Sequence, residues 1–72
     1  MTLYTSKGCA YCPQVKKLLN NKQVTYDEVV IDDNLDEFQK AIELTGALTV
    51  PQLINGNKFA IGLDIPSIMK MI

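Results

Sequence analysis

Two cysteines separated by two residues, Cys9-Ala10-Tyr11-Cys12, hold the reactive chemistry of this sequence. A thiolate attacks a disulfide sulfur to form a mixed disulfide, and a second thiol within reach then attacks the first sulfur and releases the reduced target. The pair reads as a redox dithiol, with Cys9 the nucleophile and Cys12 the resolving thiol. The chain has no histidine, so the commonest general base and the commonest metal ligand are both missing and the chemistry falls to the cysteines. Two other readings stand beside this one: inert buried cysteines, or half of a zinc site. Structural zinc takes four nitrogen or sulfur ligands, and one cysteine pair alone does not close such a site, so no metal is expected.

What gives the pair redox meaning is its setting. Met1 to Thr5 alternates apolar with polar residues and reads as a short strand, broken by Ser6-Lys7-Gly8. From Ala10 to about Lys22, Val15, Leu18 and Leu19 recur at helical spacing, with Lys16, Lys17, Asn20 and Asn21 on the other side. This predicts an amphipathic helix opening at the cysteines. Free amides and aligned peptide dipoles at a helix start favour a thiolate, Cys9 most directly, and Lys7 adds a nearby cation. Such settings lower a thiol pKa from about 8.5 into the range of roughly 3.5–7.5. With Cys9 as the cap, Pro13 is the fourth helical residue and forgoes a bond to the Cys9 carbonyl.

The remaining elements follow from the same local rules. Thr25 to Ile31 is β-rich and ends in Val29-Val30-Ile31, which predicts a strand covered on both faces. Asn34 with Glu37 resembles a capping box; Leu35, Phe38, Ala41, Ile42 and Thr45 then keep helical spacing up to the stop at Gly46. Pro51 to Ile54, a turn at Asn55-Gly56, and Lys58 to Ile61 form a hairpin pattern. Pro66 to Ile72 predicts a short closing helix. The order is β-α-β-α-β-β-α, with a first parallel pair joined by a right-handed crossover and helices on both sheet faces.

Composition limits the possible functions. Seventy-two residues, 47% hydrophobic and 21% charged, predict one folded domain over 1–72. Seven lysines, no arginine and eight carboxylates leave no basic stripe, so nucleic acid is not an expected partner. No apolar run approaches the roughly 20 residues of a membrane span. A bridge between Cys9 and Cys12 closes so short a loop that it would staple little, a usage that fits a reducing compartment and predicts a cytoplasmic protein.

Tyr4 through Cys12, then Thr49-Val50-Pro51, then Asn55-Gly56 and Gly62 together resemble the glutaredoxins across essentially the whole chain. The resemblance implies the thioredoxin fold: an α/β architecture with a four-stranded mixed sheet, order 2-1-3-4, three flanking helices, and a cis Val50-Pro51 bond facing the dithiol. It implies that the Val50 backbone pairs with a bound glutathione or substrate peptide and that Tyr11 and Thr49 line the groove. Lys7 would reach a glutathione carboxylate, and Gly62 with Asp64 would hold the γ-glutamyl end; helix capping is the other reading of Asp64. The implied activity is glutathione-dependent reduction of protein disulfides and glutathione mixed disulfides by a monomer without a tightly bound cofactor, with ribonucleotide reductase among the targets.

Three departures from the family pattern bear on this. Ala10 stands where proline is common, Lys7 lies two rather than three residues before Cys9, and Gly62-Leu63-Asp64 has one glycine where two are usual. The single glycine is similar to NrdH-type redoxins, which are reduced by thioredoxin reductase, although their dithiol usually encloses a glutamine where Tyr11 stands here. A further alternative within the family is a binding module, in which two protomers share an iron–sulfur cluster.

Overall fold

A computed structural model describes all 72 residues. Strand β1, Thr2–Thr5, leads through a turn into helix α1, Cys12–Asn21. Strand β2, Asp27–Val30, is followed by a 3₁₀ turn at Ile31–Asp33 and helix α2, Leu35–Thr45. Strands β3, Gln52–Asn55, and β4, Lys58–Ile61, form a hairpin, and helix α3, Ile65–Met71, closes the chain. The sheet order is β2-β1-β3-β4, with β1 parallel to β2 and the other pairs antiparallel. This is the mixed 2-1-3-4 sheet with three helices that the resemblance implies.

Alternation along the strands sorts side chains between two cores. Leu3, Leu53 and Ala60 face one side, where they pack with Val15 and Leu19 of α1 and Ile68 of α3. Tyr4 faces the other side and packs with Phe38 and Ala41 of α2, joined by half-buried Val29, Val50 and Ile54. Helices therefore cover both faces, and β1, at the centre, is buried from Leu3 to Thr5.

Four local expectations change. Strand β2 is an edge rather than a doubly covered strand: Val29 and Val30 are half-buried, and Ile31 leaves the sheet for the 3₁₀ turn. Helix α1 begins at Cys12 with Tyr11 at its cap, because Cys9 is held in a turn by its N–H bond to the Ser6 carbonyl, 3.3 Å. Asn34 does precede α2, but its side chain makes no capping bond and donates instead to the Val30 carbonyl, 2.9 Å. In the hairpin Asn55 pairs with Lys58, so the turn lies one residue later, at Gly56-Asn57, with Gly56 at φ +63°. The stop at Gly46 is as predicted: it takes φ +74° and its N–H donates to the Ile42 carbonyl, 2.7 Å.

Candidate active site

Sheet register gathers the predicted site residues at one end of the sheet. Tyr4 pairs with Gln52, so the antiparallel register continues to set Thr5, which leads into the dithiol turn, opposite Pro51. Gln52 pairs with Ile61, and beyond that pair Gly62 donates its N–H to the Pro51 carbonyl, 2.8 Å. Pro51 and Gly62 therefore lie at the same end of the sheet as the turn that leads from Thr5 to Cys9. The Val50-Pro51 peptide is cis, as the resemblance implies, and Pro51 is buried.

Cys9 and Cys12 are joined in a disulfide, with Cα atoms 5.5 Å apart. Their environments differ. Cys12 is 2% exposed, whereas Cys9, in the turn before the helix, is half-buried and reachable. The Cys12 backbone N–H donates to the Cys9 sulfur, 3.1 Å. This amide belongs to the first turn of α1, where donors lack helical acceptors, and that turn holds no acidic residue to oppose a negative sulfur. A hydrogen bond of this kind is strengthened when its acceptor carries negative charge.

Pro13 has a different role from the one its position predicts. The carbonyl that takes the first helical bonds is that of Tyr11, which accepts from Gln14 and Val15, each at 3.1 Å. Pro13 is the second helical residue, where no amide bond is due, so its ring removes nothing from the helix and leaves the Cys9 carbonyl out of the ladder.

The other expected residues divide. Tyr11, 53% exposed at the cap of α1, and Thr49, also exposed, stand beside the dithiol end of the sheet, and Val50 is half-buried there. Lys7 lines the cleft that reaches both cysteines, but its ammonium lies 3.6 Å from Asp33 and its backbone N–H donates to Asp32, 2.8 Å. That pairing turns its charge toward the 3₁₀ turn. Gly62 has φ +70° and bonds to Pro51 as described. The Asp64 carboxylate caps α3: one oxygen accepts from the Ser67 N–H, 3.4 Å, and the other from the Ser67 hydroxyl, 2.7 Å.

The same cleft, about 290 Å³, contains groups that the periodicity of α1 did not mark. Lys16, one helical turn beyond Cys12, shares its face and forms a 2.7 Å ion pair with Glu28 of β2, which also accepts from the Thr5 hydroxyl, 2.8 Å. The Lys16 hydrogen bond holds the Glu28 carboxyl below its ordinary value of 4.5, with the Thr5 hydroxyl acting in the same direction against the opposing effect of desolvation. The spacing of Cys12 and Lys16 was a usable signal; Glu28 required the β1–β2 register. A larger depression, about 430 Å³, is walled by Asp32, Asp33, Asp36 and Glu37, whose charge repels anionic ligands. No three His, Cys, Asp or Glu side chains converge on a common metal position.

Comparison with known proteins adds to this geometry. The glutaredoxin family model matches residues 1–60. Glutaredoxin 3 of Escherichia coli K12 is 39% identical over 51 residues, covering 71% of this chain and 61% of that protein, so the chain spans less than two thirds of that relative. Glutaredoxin 1 of Rickettsia bellii is 35% identical over 66 residues, covering 86% of this chain and 67% of that protein. The crystal structure of a glutaredoxin from Archaeoglobus fulgidus superposes with a TM-score of 0.87 at 19% identity, covering 97% of this chain and 82% of that one, which establishes the shared thioredoxin-like fold.

Proposed function

The chain belongs to the glutaredoxin family, and from that premise we propose that it is a cytoplasmic dithiol oxidoreductase that uses glutathione to reduce protein disulfides and glutathione mixed disulfides. The observation that carries this reading is the Cys12 N–H directed at the sulfur of the more accessible Cys9. The Cys9 thiolate attacks one sulfur of a target disulfide; the Cys9–target bond forms as the target S–S bond breaks, and the other target sulfur leaves as a thiolate and takes up a proton. Cys12 then loses its proton and attacks the Cys9 sulfur, the Cys9–Cys12 bond forms, and the second target sulfur leaves reduced. Two electrons have passed to the target.

Glutathione restores the dithiol by the same exchange. One glutathione thiolate attacks Cys9 and frees Cys12; a second attacks the glutathione sulfur bound to Cys9, and oxidised glutathione leaves. Tyr11, Thr49, Val50 and Pro51 are the residues we assign to the substrate groove. Lys7, Gly62 and Asp64 are assigned to its rim toward glutathione, Asp64 through whichever carboxylate lone pairs Ser67 leaves open. Ribonucleotide reductase is the disulfide target we propose to test first.

The experiment is a coupled NADPH assay on a disulfide substrate, run with glutathione and glutathione reductase in one arm and with thioredoxin reductase alone in the other. Turnover in the glutathione arm supports the reading. Turnover only in the second arm overturns glutathione as the electron donor and assigns the chain an NrdH-like supply, the reading to which the single glycine at Gly62-Leu63 would then belong.

A further inference from the structure

Gln52 is completely buried, yet it is polar, and its side chain reaches out of the sheet into the loop that precedes it. Its Oε1 accepts from the Thr45 hydroxyl at the end of α2, 3.0 Å; its Nε2 donates to the Ala47 carbonyl, 2.9 Å, and to the Thr49 carbonyl, 2.8 Å. The Thr45 hydroxyl in turn bonds the Ala41 carbonyl, 3.0 Å, and accepts from the Ala47 N–H, 3.2 Å. Both donor hydrogens of the amide are used, as burial requires.

The segment between Thr45 and Pro51 has little else to hold it. It is neither helix nor strand, Leu48 and Thr49 are exposed, and of its half-buried residues, Ala47 and Val50, it is Val50 that packs against the core. Its shape therefore rests on the amide of Gln52. The bond to Thr49 also has a directional consequence. A trans peptide unit is planar, with its carbonyl and its amide hydrogen on opposite sides, and the Thr49–Val50 peptide is trans. With the Thr49 oxygen drawn inward to Gln52, the Val50 N–H must point outward. It makes no intramolecular hydrogen bond, so it stands as a free backbone donor at the end of the sheet from which the chain runs into the dithiol turn.

From this we infer that Gln52 is a positioning residue for substrate: by gripping the Thr49 carbonyl it fixes the Val50 amide as an outward donor to the backbone of a bound disulfide peptide. The inference rests on the reading of Val50 as part of the substrate groove, while the orientation of the amide does not. Gln52 touches neither sulfur nor substrate, so its loss should change binding and leave the acidity of Cys9 alone.

The test compares Gln52→Leu, Thr45→Val and Thr45→Ser with the wild type on a glutathione-capped cysteine peptide, alongside the pH profile of Cys9 alkylation by iodoacetamide. Gln52→Leu should raise KM about tenfold, the loss of roughly one good hydrogen bond, with kcat within about twofold and an unchanged alkylation midpoint. Thr45→Val should raise KM in the same direction, and Thr45→Ser, which keeps the hydroxyl, should restore it. A folded Gln52→Leu protein with wild-type KM, or equal impairment by the two Thr45 variants, overturns the inference. Should Gln52→Leu fail to fold, the Thr45 pair decides. Independently of any activity, NMR of the wild type should find the Gln52 side-chain amide protons exchanging slowly with deuterium and coupled across the hydrogen bond to the Thr49 carbonyl; fast exchange without coupling refutes the clamp. A wild type that has these signals but does not turn over the peptide rejects the enzymatic reading and leaves the clamp standing.

Discussion

The backbone amide of Cys12 points at the sulfur of Cys9 from 3.1 Å, so the buried cysteine of the pair supplies, through its main chain, a hydrogen bond to the other's sulfur. One short turn thus differentiates two chemically identical side chains. In the proposed cycle the accessible one is the nucleophile, and the one that is 2% exposed is the thiol that resolves it.

In the reduced protein, Cys9 should be alkylated by iodoacetamide with a midpoint below the ordinary thiol value of about 8.5, and ahead of Cys12. Cys9→Ser should abolish all disulfide reduction. Cys12→Ser should retain only those reactions that pass through a glutathione mixed disulfide. Mass spectrometry of the alkylated peptides and a coupled assay check both statements.

Glu28 ties stability to pH. Lys16 holds its folded pKa below 4.5, so as pH falls below that value the unfolded chain binds the proton first, and the stability due to this carboxylate is lost as pH falls through the folded value. Glu28→Gln should therefore be less stable than the wild type at pH 7, with the difference shrinking in acid. Because both side chains are about one-third exposed, the effect at pH 7 should stay below about 1 kcal/mol. Urea unfolding at a series of pH values measures it.

Asp64→Ala removes both carboxylate bonds at the start of α3 and should cost about 1 kcal/mol of stability, as lost N-caps do. Asp64→Asn, which keeps a capping oxygen, should recover most of that loss. Comparing the KM for glutathione in the two variants then separates capping from ligand binding: a raised KM in a stable Asp64→Asn protein assigns the carboxylate charge to glutathione.

Leu19 has no exposed surface and packs against Leu3, Val15, Leu53, Ala60 and Ile68. Leu19→Ala should cost about 2–5 kcal/mol through lost burial and a residual cavity. A chain of 72 residues has only about 4–11 kcal/mol of stability to lose, so the variant should unfold at much lower denaturant, read as a shift in the urea midpoint.

What could be read along the chain was whatever depends on neighbours within a turn or two. The dithiol, the helical spacing of Val15, Leu18 and Leu19, the stop at Gly46 and the hairpin between Ile54 and Lys58 belong to that class, because periodicity and backbone permissiveness act locally. The glutaredoxin resemblance extended that reading to the 2-1-3-4 strand order and the cis Val50-Pro51 bond.

Pairings between distant residues had no such signal. Val29-Val30-Ile31 has the composition of a buried strand, but β2 pairs on one side only, so its polar Asp27 and Glu28 lie at an edge. Lys16 looked like part of a solvated helix face until register brought Glu28 against it, and nothing beside Lys7 in the sequence signalled the Asp33 carboxylate that the 3₁₀ turn brings to its ammonium. Gln52 gave no local warning of burial. Its amide meets Thr45, Ala47 and Thr49 only because β3 enters the sheet beside β1 and directs that side chain toward α2. Short-range propensity chose the elements, whereas strand register and burial, which exist only once the elements pack, chose the partners of each charge and each buried polar group.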